Sequence, residues 1–300
     1  MQPLFLLGLL CAFLCAAKAL PPPQQPDLVR RGSTGYGTIT TTTESNGSIV
    51  RLRPISRTSI GGLAKTANTS DVKVVILSSA NADFFLDHID IHALSATSPE
   101  LPPANGTLTG VQLLQTEFFL QTLPIVFIAE INGRTTGAGN ELAVQCDSRY
   151  AGPNAKLSQL EIGQGELPGT GGVQFLVDLI GRARALEYIL SARSLNAAQA
   201  AAIGWVNQAF SSEAELKAEV TSLAQRIATF PKPGLSAIKS RVNVQKPSEE
   251  SIKGDNSLFT QLKKTAVVQQ AQNRYLELSG NQSDSAFEKN IPEDLPEIFA

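Results

Sequence analysis

A glycine-rich turn between a buried strand and a helix is the feature that most constrains how this chain can fold. Residues 125–131 are apolar except for Glu130, which predicts a buried strand. Residues 132–139 then contain three glycines, and a helix is predicted to begin at their end. The first N–H groups of a helix have no partner inside it, so in such a turn they can stabilise a negatively charged oxygen. Glycine turns also precede many helices without a function, so the turn alone leaves both interpretations open.

Composition favours one catalytic domain with appendages. The chain has 300 residues, of which 42% are hydrophobic and 17% are charged, enough to bury one sizeable core. The formal net charge is −2 and no basic block stands out. Nothing therefore attracts a nucleic-acid backbone or an anionic membrane surface, and we expect no nucleic-acid partner.

Cysteine and histidine usage argues against disulfides and metals. Two of the three cysteines, Cys11 and Cys15, lie in the leading apolar run, and only Cys146 belongs to the expected domain. This number is too small for a disulfide framework or a thiolate metal site. His88 and His92 are four residues apart, and two histidines alone are weak evidence, since most metal sites need three or four ligands. We therefore predict no metal site.

The N-terminus resembles a targeting segment. Residues 4–17 form an apolar run too short to cross a bilayer comfortably, and Ala17 and Ala19 place small residues at cleavage positions. We predict a signal peptide over residues 1–19 and entry into the secretory pathway. No Lys or Arg precedes the run, so an uncleaved anchor or an upstream extension of an intracellular protein is the alternative. Four glycosylation sequons are compatible with secretion: Asn46, Asn68, Asn105 and Asn281.

The remaining chain divides into a linker, a core and a helical extension. Residues 20–37 begin with a proline-rich stretch and are predicted to form an extended linker. The core is expected over residues 38–230, where strands and helices are mixed. Residues 231–300 are predicted to be mainly helical, with helices over 234–243, 249–265 and 266–279, and to mediate oligomerisation.

Within the core, the local patterns predict individual elements. Two β-branched runs flank Asn46-Gly47 and predict a hairpin over residues 38–53. A strand is expected over 72–77, whereas residues 55–70 are predicted to be loop or a poorly formed helix. Further elements are a helix stopped at residue 124, strand pieces near 150 and 157, helices over 171–180, 182–191 and 196–203, and a strand over 206–210.

Several short motifs occur together and in register between residues 71 and 210. They are Ile131-Asn132-Gly133, Glu141-Leu142-Ala143, Cys146-Asp147, Tyr150-Ala151-Gly152, Leu160-Glu161-Ile162-Gly163 and the run over 168–174, with upstream runs over 72–77 and 85–91. This region resembles the signature region of the enoyl-CoA hydratase/isomerase (crotonase) family. The resemblance implies an α/β fold, the crotonase (ClpP-like) spiral of ββα units, with a C-terminal helical extension.

The family resemblance also implies roles for individual residues. It implies that the backbone N–H groups of Ile89 and Ala138 form an oxyanion hole that polarises a thioester carbonyl. It implies that Glu141 and Glu161 form an acid/base pair, which matches the chemistry of adding water across a conjugated C=C bond. The positions expected to line the substrate site are His88, Asp90, Gly137, Gly139, Pro168 and Gly169. The expected partner is an acyl-CoA thioester acting as substrate, with no further cofactor.

The chain differs from the family pattern at three places. His88 and Ala138 stand where the family has glycine, and residues 55–70 are shorter than the family segment that helps to hold CoA. His88 could act as an added acid or base, or could fill space at the pocket rim.

Three functions compete on these observations. Because family isomerases commonly keep only the later glutamate, retention of both favours a hydratase-like lyase of acyl-CoA and fatty acid metabolism. The alternatives are another crotonase-type enzyme, such as a double-bond isomerase or thioester hydrolase, and a non-catalytic secreted relative.

A homotrimer or hexamer is expected, with apolar contacts near Phe259, Leu262 and residues 267–268. Secretion conflicts with acyl-CoA chemistry, because acyl-CoA is an intracellular metabolite.

The leader makes a direct prediction about the native protein. We expect cleavage after Ala19 and glycan on at least one of the four sequons, because both follow from entry into the secretory pathway. Intact-mass and peptide mass spectrometry of native protein test both. An unglycosylated cytosolic protein that retains Met1 would contradict this prediction.

Overall fold

A computed structural model describes residues 40–45, 48–53, 71–86, 120–283 and 285–300. Several predictions fall outside these residues. They concern the leader, the linker, the sequons at Asn46, Asn68 and Asn105, the segment 55–70, most of the helix before residue 124, and the positions His88, Ile89 and Asp90.

A six-stranded sheet forms the centre of the described fold. Its strand order is β1-β2-β3-β5-β7-β10, and its neighbours run parallel except for the antiparallel pair β1 and β2. The strands are β1 Thr40–Glu44, β2 Ile49–Arg53, β3 Val74–Ser78, β5 Val126–Ile131, β7 Ser148–Ala151 and β10 Gln208–Ala209. The antiparallel pairing of β1 with β2 confirms the predicted hairpin.

A smaller, four-stranded sheet carries the glycine-rich turn. Its order is β4-β6-β8-β9, with strands β4 Phe84–Leu86, β6 Arg134–Thr136, β8 Lys156–Ser158 and β9 Leu195–Asn196. Each ββα step places one strand in each sheet, as β5 and β6 do before the helix that follows them. The parallel pairs β4–β6 and β6–β8 repeat this step along the chain.

Nine α-helices complete the described part of the chain. They are α1 Ala138–Gln145, α2 Gly172–Ile180, α3 Arg182–Ser191, α4 Ala197–Ile203, α5 Glu213–Ala228, α6 Lys232–Val242, α7 Glu249–Leu262, α8 Ala266–Leu278 and α9 Ala286–Asn290. The predicted N-cap at Asn196 is confirmed, since its side chain and that of Gln199 form a reciprocal capping box. Among the described residues, no helix combines the length and hydrophobicity that crossing a membrane requires.

The large sheet is buried on both faces, which explains its uninterrupted apolar strands. Val75 of β3 and Phe127 of β5 face the cluster that contains Leu142, Phe175 and Trp205. The alternate residues Val74, Ile76 and Ile128 face the cluster built with Leu216, Val220 and Ala224 of α5. Fully burying one such side chain contributes about 1.5–3 kcal/mol, so two covered faces stabilise the strands strongly.

Buried ion pairs interrupt this apolar core at its edges. Arg51 of β2 pairs with Glu130 of β5 at 2.5 Å, which accounts for the one charged residue in that strand. Lys239 of α6 pairs with Asp147 at 2.7 Å and also donates to the carbonyls of Leu120 and Ile125 at 2.6 and 2.7 Å. All three ammonium donors are thus used, and α6 is tied to the start of β5.

The C-terminal helices pack back onto the loop that carries Glu161. Leu160 lies in one cluster with Tyr275 of α8, Phe287 of α9 and Leu295. The expected subunit contact at Val268 is wrong, because that side chain is only 1% exposed within its own chain. Its neighbour Val267 is 61% exposed and stays available for such a contact.

Several element predictions need correction. Helix α5 was not predicted, although Ser212 caps it and apolar residues recur along one face. Strand β10 covers 208–209 rather than 206–210, because the backbone N–H of Val206 donates to the Ala200 carbonyl in α4. The helix predicted over 249–265 ends at residue 262, since Thr265 caps α8 instead. A short helix, α9, was also missed.

Candidate active site

The glycine-rich stretch 132–139, predicted to be a single turn, contains strand β6, so that Gly133 precedes the strand and Gly137 joins it to α1. Gly137 has φ 51° and directly precedes the helix, a backbone conformation that residues with a side chain rarely adopt. Gly133 lies so close to β4 that an added Cβ would be 2.8 Å from the Phe84 backbone. The turn therefore presents the N-terminus of α1, with Ala138 as its first residue, at a defined place beside the small sheet.

Glu141, in the first turn of α1, points its carboxyl at the start of α2. Its Oε1 accepts hydrogen bonds from the backbone N–H groups of Thr170 at 2.8 Å and Gly172 at 2.9 Å. Its Oε2 accepts from the Thr170 hydroxyl. Helix α2 has no side-chain cap within its own segment, so the Glu141 carboxylate serves as its anionic cap.

A glutamine one turn further along α1 reinforces this arrangement. Gln145 Nε2 donates to the carbonyl of Glu141 at 3.1 Å and to that of Thr170 at 3.0 Å. The loop before α2 is thereby held against α1 from both sides of Thr170. The Glu141 side chain is 2% exposed and has little freedom to turn away.

Glu161 begins a short 3₁₀ helix, Glu161–Gln164, after β8. Gln159 Nε2 lies 3.0 Å from both carboxyl oxygens of Glu161 and 3.3 Å from the Gly137 carbonyl. The Gln159 amide thus links the carboxyl of Glu161 to the turn at Gly137, which precedes the helix that carries Glu141. In this way the structure brings together the two glutamates that the sequence predicted.

The orientation of the Gln159 amide follows from its neighbours. The Trp205 indole can only donate, and its Nε1 lies 2.9 Å from Asn140 Oδ1. Asn140 Nδ2 must then be the donor to Gln159 Oε1 at 2.6 Å. Gln159 Nε2 in turn can only donate to Glu161. Every bond in this chain therefore has one possible direction, and Glu161 stands at its accepting end.

The two carboxyl groups differ in what stabilises their charge. Burial raises the pKa of Glu141, whereas three hydrogen-bond donors from Thr170 and Gly172 oppose the rise. Burial, followed by the charge of Glu141, raises the pKa of Glu161 to about 8. Glu161 accepts from its own backbone N–H and from the Gln159 amide, whereas Glu141 accepts from three donors. The extra donor favours placing the first negative charge of the pair on Glu141.

This pair can accept one proton and donate another in the same turnover. A carboxylate offers about four lone-pair positions, and three of those on Glu141 are occupied, which leaves one for a water molecule. Glu161 carries a proton that it can deliver. An acid/base site typically contains two titratable groups whose different surroundings favour the charged form of one and the protonated form of the other.

The other predicted positions lie around this pair where the structure describes them. Gly137 and Gly139 flank Ala138 at the start of α1, and Pro168 and Gly169 directly precede Thr170. Gly169 is in close contact with Phe259 of α7, since an added Cβ would be 2.9 Å from the ring. Across the described ranges, no group of three His, Cys, Asp or Glu side chains is arranged to hold a metal ion.

Sequence reasoning missed four residues that position the glutamates: Asn140, Gln159, Thr170 and Trp205. Apart from the contact of Gln159 with Glu161, two positions away, the bonds cited for them join residues 19 to 65 positions apart, which no local pattern indicates. The one available signal was their place beside predicted site residues, since Asn140 precedes Glu141 and Thr170 follows Gly169.

Comparison with known proteins identifies the family. The sequence model of the enoyl-CoA hydratase/isomerase family matches residues 58–284. A crystal structure of a putative enoyl-CoA hydratase from Streptomyces avermitilis superposes with a TM-score of 0.75 at 32% identity, covering 89% of this chain and 99% of that one. The chain belongs to the enoyl-CoA hydratase/isomerase family and has its crotonase fold.

Curated relatives agree with this assignment. The 2,3-dehydroadipyl-CoA hydratase of Escherichia coli is 30% identical over 208 residues, which cover 69% of this chain and 78% of the relative. A probable mitochondrial enoyl-CoA hydratase of Dictyostelium discoideum is 34% identical over 152 residues. That match spans 50% of this chain and about half, 54%, of the relative's length.

The hydrogen bond from Thr170 to Glu141 makes a prediction about stability. Thr170→Val removes the hydroxyl but keeps the shape and the backbone N–H, so a buried carboxylate loses one donor at a cost of about 1.5–3 kcal/mol. Urea unfolding near neutral pH measures this loss. Because the bond favours ionised Glu141, the loss should shrink as pH falls through the pKa of that group.

Thr170→Ser is the matched control, since it keeps the hydroxyl. We expect it to retain most of the wild-type stability. Equal stability of the valine and serine variants across pH would show that the hydroxyl does not stabilise the Glu141 carboxylate.

Proposed function

We propose that this chain is an enoyl-CoA hydratase-like lyase that adds water to a 2-enoyl thioester. One observation carries the proposal. The Glu141 carboxyl accepts three hydrogen bonds, while burial and the charge of Glu141 raise the pKa of the neighbouring Glu161 to about 8. Hydration needs one base for the water and one acid for the substrate carbon, and this pair supplies both.

In the proposed reaction, Glu141 is the base. A water molecule donates a hydrogen bond to the remaining acceptor position on Glu141 and gives up that proton as its oxygen bonds to C3 of the substrate. The C=C electron pair moves toward the thioester, and negative charge builds on the carbonyl oxygen. The N–H of Ala138 at the start of α1, with that of Ile89, is proposed to stabilise this charge.

Glu161 then completes the reaction as the acid. It donates its proton to C2 as the enolate collapses, which yields a 3-hydroxyacyl thioester. The enzyme ends with a protonated Glu141 and an ionised Glu161, and proton exchange with water restores the starting state. His88, Asp90, Gly137, Gly139, Pro168 and Gly169 are proposed to line the substrate site.

The activities for which the relatives are named support the same reaction class. The Escherichia coli relative is a hydratase of 2,3-dehydroadipyl-CoA, and a Clostridium acetobutylicum relative, 31% identical over 181 residues, is a short-chain-enoyl-CoA hydratase. These names describe those proteins. For this chain they favour a CoA thioester as substrate, and no cofactor beyond that thioester is proposed.

The leader adds a proposal about location. We propose that residues 1–19 direct the chain into the secretory pathway, with an intracellular enzyme as the alternative if the segment is not functional. A secreted form would act on a substrate found along that route, and an intracellular form on acyl-CoA itself. The predicted cleavage and glycosylation separate the two.

Substitution of the glutamates tests the proposed mechanism. Glu141→Gln and Glu161→Gln should each lower kcat by about 10²- to 10⁴-fold with smaller changes in KM, because each removes a positioned proton transfer. The double variant should be little worse than the poorer single variant, since the two act as a unit. Loss of crotonyl-CoA absorbance follows the rate, and exposed Glu187→Gln of α3 is the control.

The pH profile tests the assignment of the acid. Glu161 is active when protonated, so kcat/KM should fall as pH rises through about 8, the pKa expected for this group. Full hydration activity in Glu161→Gln would contradict the mechanism.

The C-terminal helices generate a prediction about assembly. Ile238 and Val242 of α6 are 65% and 68% exposed, and Val267 of α8 is 61% exposed, so these helices present apolar surface to solvent. We propose a homotrimer or hexamer in which neighbouring chains cover part of this surface. Light scattering across a concentration series should give a multiple of three chain masses, and a constant monomer mass would contradict it.

A further inference from the structure

A third buried carboxyl lies beside the glutamate pair and takes no part in the proposed reaction. Glu166 follows Gly165, whose φ of +78° turns the chain, and the Glu166 side chain is 3% exposed. Its backbone N–H donates to the Glu161 carbonyl at 3.1 Å. The loop therefore folds back on itself and keeps Glu166 next to Glu161.

Helix α8 holds this carboxyl in place. Gln272 Nε2 donates to Glu166 Oε1 at 3.1 Å, and the Gln272 side chain is also 3% exposed. One turn earlier on the same face, Val268 contacts Gly165, where an added Cβ would be 3.2 Å from it. Two residues of α8, four positions apart, thus fix the loop that carries Glu161.

The groups around Glu166 decide when it becomes charged. Burial raises its pKa to about 7, whereas the positive charge of Lys263 and the hydrogen bond from Gln272 oppose the rise. Burial and then the charge of Glu141 raise the pKa of Glu161 most, and the charge of Glu166 adds to the rise. Asp255 of α7 acts in the same sense on Glu141. Because Lys263 offsets part of the burial penalty at Glu166, whereas two like charges act on Glu161, we expect Glu166 to ionise first as pH rises.

We propose that Glu166, held by Gln272, is a positioning residue for Glu161. The negative charge of Glu166 disfavours ionisation of Glu161, so Glu161 keeps the proton that it delivers to the substrate. This inference rests on the proposed hydratase function. Burying the Glu166 carboxyl against Gln272 is costly, since two apolar side chains would fill the same space without a desolvation penalty. The proposed role accounts for that cost.

The test is the pH dependence of the Glu166→Gln variant, which keeps the shape but removes the charge. At pH 6, where Glu166 is largely protonated, wild type and variant should hydrate crotonyl-CoA at similar rates. The alkaline limb of kcat/KM should move to lower pH by roughly half to one unit, which makes the variant about 3- to 10-fold slower at pH 9. A purely structural role would instead lower the rate equally at all pH values.

Three further variants sharpen this test. Glu166→Asp keeps the charge and should restore the wild-type limb. Gln272→Leu removes the donor that favours the charged form, so its limb should move in the same direction as that of Glu166→Gln. Glu277→Gln changes the net charge equally on the exposed face of α8, where Glu277 pairs with Arg274, and should leave the limb in place.

A direct titration separates this inference from the proposed function. In protein labelled with ¹³C at the glutamate carboxyl carbons, the signal that disappears in Glu161→Gln belongs to Glu161. Its midpoint should fall in Glu166→Gln, whatever reaction the enzyme catalyses. An unchanged midpoint would overturn the inference even in an active hydratase. A shifted midpoint in a protein that hydrates no enoyl-CoA would support the influence of Glu166 and contradict the hydratase proposal.

Discussion

The arrangement of the active site depends on a chain of hydrogen bonds that can run in one direction only. The indole of Trp205 can donate but not accept, which fixes the direction of every bond that follows. Asn140 accepts from Trp205, Gln159 accepts from Asn140, and Glu161 accepts from Gln159. Asn140 is the residue before Glu141 in α1. The same chain therefore orients the second glutamate and ties it to the helix that carries the first.

The surrounding fold holds the residues of this hydrogen-bond series in place. Trp205 is fully buried beneath the large sheet, where its ring packs edge-on against Tyr188 at 5.8 Å. Gly133 allows the chain before β6 to lie against β4, Gly137 leads from β6 into α1, and the carboxylate of Glu141 caps α2. The carboxylate proposed as the catalytic base thus also completes a helix N-terminus, which links the candidate site to the stability of the fold.

The C-terminal helices also contact the loops that carry the site residues. Helix α8 reaches the loop of Glu161 through Val268 and Gln272, and Phe259 of α7 lies against Gly169. The segment after residue 231 therefore packs against the loops that carry Glu161 and Gly169. The same packing buries the carboxyl of Glu166, for which an electrostatic role is proposed above.

Local patterns predicted much of this molecule, and long-range contacts account for what they missed. The hairpin, strands β3 and β5, and the capped helix α4 follow from periodicity, turn residues and capping residues within a few positions of one another. Glu141 and Glu161 were found through family motifs. Gln159 and Gln272 were not, because their partners include residues 19 and 106 positions away, and no spacing rule specifies such contacts.

The most direct test of the central claim is the fate of solvent oxygen. If Glu141 activates water and Glu161 protonates the substrate, crotonyl-CoA in H₂¹⁸O should yield 3-hydroxybutyryl-CoA with the label in the hydroxyl group, as mass spectrometry of the product and its fragments would show. An unlabelled double-bond isomer, or labelled free acid with released CoA, would contradict the account and indicate that the same two carboxyls serve a different reaction.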